Sequence, residues 1–319
     1  KKGIATLLAI PFIGFAQQPT DTITMQKVLD EVNVNALMAT EKTPVAFTNI
    51  SKSEIEKGNL GQDLPYIISL TPSVVTTSDA GAGVGYTGFR VRGSDPTRIN
   101  VTVNGIPLND SESQGVWWVN MPDFTSSVDN IQIQRGVGTS TNGASAFGAS
   151  VNLKTTGLNK DAYVRSSNTF GSYNTLKNNV EFGTGLLKNK FAFDGRLSQI
   201  SSDGYMDRAT SNLKSFYLSA GYFEKNEMLK AIIFSGHERT YQAWYGVPLN
   251  YLDSARTYNP YTYDNEVDNY GQTHYQLHYS KKVKENTNVN ISAHYTHGEG
   301  YYEQFKRAEN LANYGLENI

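Results

Sequence analysis

Two histidines, His274 and His278, stand four residues apart in "THYQLHYSKK". In an extended chain that spacing puts both imidazoles on one face, where they could hold a metal or simply form polar lining. No His-Glu-x-x-His run is present. The chain has no cysteine, which excludes thiolate metal sites, disulfides and a cysteine nucleophile. The glycine-rich stretch "GVGTSTNGASAFG" invites three further tests, and each fails on one residue. Gly136-x-Gly138 opens like a dinucleotide loop, but Thr141 stands in the third glycine's place and no helical run follows. Gly138 and Gly143 have P-loop spacing, but Ala144 occupies the position of the phosphate-binding lysine. Gly143 to Gly148 is one residue too long for a nucleophile elbow around Ser145. No catalytic constellation, metal set or cofactor loop survives, so neither an enzyme nor a cofactor protein is expected.

The elements behind these residues have a definite grammar. The 319 residues carry a formal charge of −2, which gives nucleic acid no basic surface to bind. Lys1-Lys2, the apolar run "GIATLLAIPFIGF" and the small residues Gly14 and Ala16 make 1–16 a secretory signal peptide, with Gln17 starting the mature chain. A sequence opening without methionine is expected to be clipped at its start. Mean hydropathy is negative at −0.44. That argues against helical spans but not against a barrel, whose strands alternate between faces.

Of 20 tyrosines, only Tyr66 and Tyr86 precede residue 160, and beyond that point alternating runs dominate. Leu176, Val180 and Phe182 oppose Lys177, Asn179 and Glu181; Phe191, Phe193 and Leu197 oppose Asp194, Arg196 and Ser198. Phe216, Leu218, Ala220 and Tyr222 share a face, as do Tyr275, Leu277 and Tyr279, and Val289, Ile291, Ala293 and Tyr295. Short links ("GLLKNK", "EKNE", "KENTN") alternate with long ones ("DGYMDRATSN" and 243–269). Short turns on one side and long loops on the other suit an outer-membrane barrel, and a soluble sandwich is the alternative. About seven strands fit into 160–319, whereas a plugged lumen needs about 22, so the chain is expected to continue beyond residue 319.

Residues 43–155 read as a small α+β domain. "SKSEIEKG" has candidate caps at Ser51 and Ser53, and a second short helix is expected within Gly61–Leu70. "GFRVRG", "RINVTV" and "DNIQIQRG" alternate as strands, and Asn104-Gly105 is a hairpin turn. Ahead of this domain, in the polar tether 17–42, Val28, Val32 and Val34 of "VLDEVNVNA" share one face of an isolated strand. It is either the first strand of that domain or an edge displayed to recruit another chain.

These pieces together resemble the TonB-dependent outer-membrane receptors. "FRVRGSDPTRINVTVNGIPLND" is similar to the plug's first arginine-glycine strand and its hairpin. "IQIQRGVGTSTNGASAFGASVNLKT" is similar to the second arginine-glycine motif and the closing strand, and "VLDEVNVNA" to the TonB box. Gln132 and Val137 depart from the family's usual Glu and Pro. The resemblance implies an α+β plug followed by the first strands of an antiparallel transmembrane β-barrel. It assigns TonB binding to Val28, Leu29, Asp30, Glu31, Val32, Asn33 and Val34, and plug–barrel locking to Arg92 and Arg135. It also implies a Gram-negative outer-membrane site in lipid, a periplasmic N-terminus and TonB with its inner-membrane energising complex as partner. Ser202–Asn212, Ala243–Asn269 and Gly298–Gly315 then face outward.

The expected activity is uptake of an iron chelate such as a ferric siderophore, with glycan, peptide or cobalamin uptake as the alternative. Only about 11 residues, 17–27, precede the box in the mature chain, which favours the iron branch over receptors that carry an extra domain there. A passive porin or adhesin is the competing class. Candidate ligand contacts lie in the apical loops Asp79–Gly88 and Ser111–Trp118, at Tyr86, Ser111, Glu112, Gln114, Trp117 and Trp118. The paired tryptophans stack on a flat chelate or pack against the barrel wall.

Overall fold

The computed structural model describes residues 38–138 and 147–317. A five-stranded sheet organises the first part, with strands β1 (Ala46–Ser51), β4 (Ile99–Val103), β5 (Ile106–Pro107), β6 (Val128–Arg135) and β7 (Ala149–Thr155). Their order is β1-β6-β7-β4-β5, with β4 and β7 parallel and the other pairs antiparallel. A separate ribbon pairs β2 (Val74–Ser78) with β3 (Thr87–Val91). Asn104 and Gly105 turn β4 into β5 with φ of 53° and 82°, the left-handed pair that a two-residue hairpin needs.

Helix α1 (Lys52–Gly58) is capped by Ser51, whose N–H and hydroxyl both donate to the Glu54 carboxylate, at 2.8 and 2.6 Å. The Ser53 hydroxyl joins them, 3.1 Å from that of Ser51. Helix α2 is only Leu64–Ile67, shorter than the stretch expected within Gly61–Leu70. Gly61 has φ of +119°, outside helical space, and beyond Ile68 the chain breaks into single turns.

Strands β1 and β2 were not legible. In "AFTNIS" and "VVTTS" the alternation is too short and too mixed to stand out from loop. The place beside β6 is filled by β1, in the register Ile50↔Ile131. The Val28–Val34 segment lies outside the described residues.

Beyond residue 160 come β8 (Ala162–Gly171), β9 (Thr175–Thr184), β10 (Phe191–Ser202), β11 (Ser211–Glu224), β12 (Glu227–Tyr241), β13 (Val267–Lys284) and β14 (Thr287–Tyr302). All pair antiparallel with their sequence neighbours in one open sheet. Burial in this sheet is inverted. Leu197 is 55% exposed while its neighbour Arg196 is 2% exposed. Likewise Val180, Phe193, Tyr275 and Leu277 are exposed, whereas Lys177, Asn179, Asp194, His274 and Gln276 are buried. A soluble sandwich buries its apolar face; a barrel wall turns that face to lipid and its polar face inward. The sandwich alternative fails on this observation. No helix among the described residues is long and apolar enough to cross a membrane.

The plug packs against the inward face. Its core of Ile55, Ile68, Val101, Ile131 and Val151 continues into Tyr217, Ile232 and Phe234 of the barrel strands. At Gly236 the wall has no side chain, and a Cβ there would collide with the carbonyl of Asn120. That glycine is what lets plug backbone approach the strand so closely.

Candidate functional site

A cavity of about 900 Å³ opens between the plug loops and the barrel wall. Plug residues 107–113, 115–117 and Asn120, with Asp79 and Tyr86, form one side; Glu238, Trp244, Asp268, Tyr270 and His274 form the other. Glu238 lies near the end of β12 and Asp268 near the start of β13, so the cavity sits at the end bearing the long connection 242–266. The plug loop reaches the next long connection as well: Tyr205 and Met206 donate backbone N–H groups to the Ala80 carbonyl at 2.7 and 3.2 Å.

Tyr86 is the centre of this cavity. Its ring meets Trp117 and Trp244 edge-on, with centroids 6.2 and 5.6 Å away. Its hydroxyl donates to Asp268 and lies 3.4 Å from Glu238. Burial, with those two carboxylates beside it, pushes the phenol well above its usual range. Burial also lifts Asp79 to about 6. Asp110 goes the other way, because its carboxylate accepts from the backbone N–H groups of Ser113 and Glu112 and is held low.

The candidate ligand residues separate in the structure. Tyr86, Ser111, Glu112 and Trp117 line the cavity. Gln114 does not: it sits at φ of +61° inside a turn, with its side chain donating to the Ser111 carbonyl at 2.9 Å. Trp118 is only 4% exposed and packs on Phe89 in the plug core, so stacking on a ligand is corrected to core packing for this residue. The one-residue step between neighbouring tryptophans sends them to opposite sides, one to the core and one to the cavity. Glu238, Trp244 and Asp268 were missed, since polar and aromatic residues at strand ends look like ordinary interfacial ones. His274 and His278 bond to Thr296 and Ser292 at 3.0 and 2.9 Å. Among the described residues no cluster of His, Asp and Glu is placed to hold a metal.

Arg92 and Arg135 come together, but among the described residues neither is paired with a carboxylate. Arg92 donates to the Arg135 carbonyl at 3.3 Å, and Arg135 donates to the Thr48 hydroxyl at 2.8 Å. Among the described residues the ionic lock between plug and wall is elsewhere and of opposite sense. Asp123, fully buried on the plug, contacts Lys177 at 2.6 Å and Arg196 at 3.2 Å. Asn179 and Ser198 of the wall donate to the same carboxylate at 2.6 and 2.7 Å, and Ser126 of the plug donates at 2.6 Å. Burial opposes ionisation of Asp123, but the Arg196 and Lys177 charges outweigh it and hold the carboxyl far below its ordinary range. Sequence offered one signal for this lock: Lys177 and Arg196 sit on the polar, inward faces of their strands.

Gln132 makes clear what its departure from glutamate does. Its amide accepts from the Ala39 N–H at 2.6 Å and donates to the Ala39 carbonyl and to Asn49 at 2.9 Å each. A carboxylate could not make the two donations. This pins the C-terminal end of the tether onto β6. Residues 1–37, which include the expected signal peptide and the whole Val28–Val34 segment, lie outside the described residues, as do 139–146 of the glycine-rich loop.

Asp63 supplies a pH-dependent element of the plug. It ties α2 to the apical loop, with its N–H donating to the Gly83 carbonyl and its carboxylate accepting from Thr87, both at 2.9 Å. Burial raises its carboxyl to about 7. The unfolded value lies near 3.9, so the native plug keeps a proton that the unfolded chain releases, and stability falls as pH rises from about 4 to 7. Asp63→Asn is expected to exceed wild type in stability at pH 8 by about 2–4 kcal/mol, the gap closing towards pH 4. Melting curves that stay parallel for the two proteins across that range would show that burial does not control this group.

Comparison with known proteins follows the same division. The profile of the TonB-dependent Receptor Plug Domain matches residues 39–150. No curated protein matches the chain. Among solved structures, the alcaligin outer-membrane receptor FauA of Bordetella pertussis aligns with TM-score 0.63 and 13% identity, over 84% of this chain and 41% of its own. The ferric-catecholate import receptor Fiu of E. coli K12, open form, gives 0.67 and 15%, over 82% and 39%. The unliganded ferric citrate transporter FecA gives 0.67 and 18%, over 82% and 41%. The chain thus spans about two-fifths of the length of these receptors, and at such identities the likeness speaks for fold. The plug profile over 39–150 and the inside-out strand wall packed around it make residues 39–150 similar in sequence to the plug domain of TonB-dependent receptors, and the described chain similar in fold to those receptors.

Proposed function

We propose that the protein is an outer-membrane receptor that takes up a scarce iron chelate, energised through TonB. The observation that carries this reading is the apical cavity, walled by aromatic and polar side chains at the long-loop end and floored by a plug ionically fixed to the barrel. A passive pore has no use for such a plug, and receptors of this family transport rather than catalyse. The division follows: residues 1–16 direct export, 17–42 carry the TonB-binding strand, 43–155 form the plug and 160–319 begin the barrel. The N-terminus then lies in the periplasm and the long loops face outward. The solved receptors that the fold resembles include several named for ferric ligands, which supports iron chelates as the ligand class. Arg92 and Arg135 remain proposed locking residues toward the rest of the barrel.

Trp117 is 53% exposed over the cavity, and large aromatics in such positions dominate binding energy. In cells displaying the receptor, Trp117→Ala is expected to weaken binding of the preferred chelate by about tenfold or more. The assay is surface binding of iron-labelled catecholate, hydroxamate and citrate chelates. Unchanged affinity for every chelate that the wild type binds would remove the cavity from the proposed role.

A further inference from the structure

The cavity has an unbalanced inventory of charge and hydrogen-bond donors. Asp79, Asp110, Glu112, Glu238 and Asp268 all line it, and among the described residues no lysine or arginine does. Exposed carboxylates such as Glu112 are satisfied by water, but the deeper ones are not. Glu238 is 1% exposed and shares a single phenolic proton, that of Tyr86, with Asp268. Its Oε2 atom has no hydrogen-bond partner. Neither has Oδ1 of Asn120, 6% exposed on the plug side of the cavity. The hydroxyl of Thr240 beside Glu238 supplies it with at most one further, neutral donor. Buried acceptors left without donors are costly, so this wall is matched to an occupant that brings both protons and positive charge. The aromatic cluster agrees, because the faces of Tyr86, Trp117 and Trp244 attract cations.

We propose that the apical cavity binds the ligand through a cationic nitrogen group, an ammonium or guanidinium seated against Glu238, Asn120 and the aromatic cluster. This rests on the reading of the cavity as the ligand site of an uptake receptor, and it selects cationic or amine-bearing chelates over anionic ones such as polycarboxylates. Asp268 and Tyr86 position the Glu238 carboxylate, and the bound cation replaces the missing donors without any covalent step.

The test uses the purified receptor in detergent and two series of probes. In the first, n-hexylammonium, hexanol and hexanoate are titrated against tryptophan fluorescence. The ammonium is expected to bind about tenfold or more tighter than either of the others, an advantage that Glu238→Gln removes. Equal binding of the three, tighter binding of hexanoate, or no binding of the ammonium overturns the proposal. If the variant does not fold, the wild-type titrations alone decide between these outcomes. In the second series, a ferric trihydroxamate bearing a free primary amine is compared with its N-acetylated and N-succinylated forms. The expected order is amine first and succinylated last, and a succinylated form that binds as well as the amine overturns the cation site. If none of the three chelates binds while n-hexylammonium does, the cation site stands and the iron-chelate reading falls.

Discussion

Removing Val28–Val34, or substituting proline at Val32, is expected to abolish uptake while leaving ligand binding at the cell surface within about twofold of wild type. Strand addition to a partner sheet depends on backbone N–H and C=O groups, and proline deletes a donor and fixes φ in the middle of the strand. The apical cavity is lined by plug residues between Asp79 and Met121 and by the barrel strands, so nothing in it depends on the tether. Tension on the tether would first load the Gln132 amide, which holds Ala39 by both backbone groups, and then β6 through that contact. Uptake assays that find both variants transporting normally would reject the assignment of this strand to TonB.

The second large effect belongs to Asp123. It neutralises Lys177 and Arg196 inside the plug–wall interface, where the three side chains are at most 3% exposed. Asp123→Ala takes from two buried cations the carboxylate that they share, a change that costs about 3–5 kcal/mol. Plug docking should weaken by that amount, seen as a lower urea midpoint for plug exposure and faster proteolysis within 43–155. Asp123→Asn retains shape and some hydrogen bonds and should fall between the two. Because the carboxyl is held so low, the lock is present at all pH values above the ordinary carboxylate range and is lost only in strong acid, as pH falls through the depressed native value. A wild-type urea midpoint in Asp123→Ala would mean that the plug is held by its apolar contacts alone.

Long barrel strands were legible because a strand that faces lipid on one side and a polar lumen on the other must alternate over its whole length, as β9, β10 and β13 do. The hairpin at Asn104-Gly105 was legible because only a few residues tolerate its backbone angles. Short plug strands such as β1 carry no such pattern, since β-pairing there is decided by the neighbour β6 rather than by local sequence. The site was half legible. Tyr86 and Trp117 could be reached from loop composition, but the fate of Trp118 depends on which side of the chain the core lies. The Asp123 lock and the Glu238–Tyr86–Asp268 group join residues 50–180 positions apart, and no local spacing records such a meeting. Gln132 stood out as a departure from the family pattern, yet its hold on Ala39 appears only in three dimensions.

Energised uptake is tested most directly by accumulation of an iron-labelled chelate in cells displaying the receptor, with and without a protonophore that collapses the inner-membrane gradient. An energised receptor with a closed plug binds the chelate in both conditions and accumulates it only when the gradient is intact. Accumulation that continues at the same rate in the presence of the protonophore would mean a passive pore, and would contradict TonB-coupled transport through this plug.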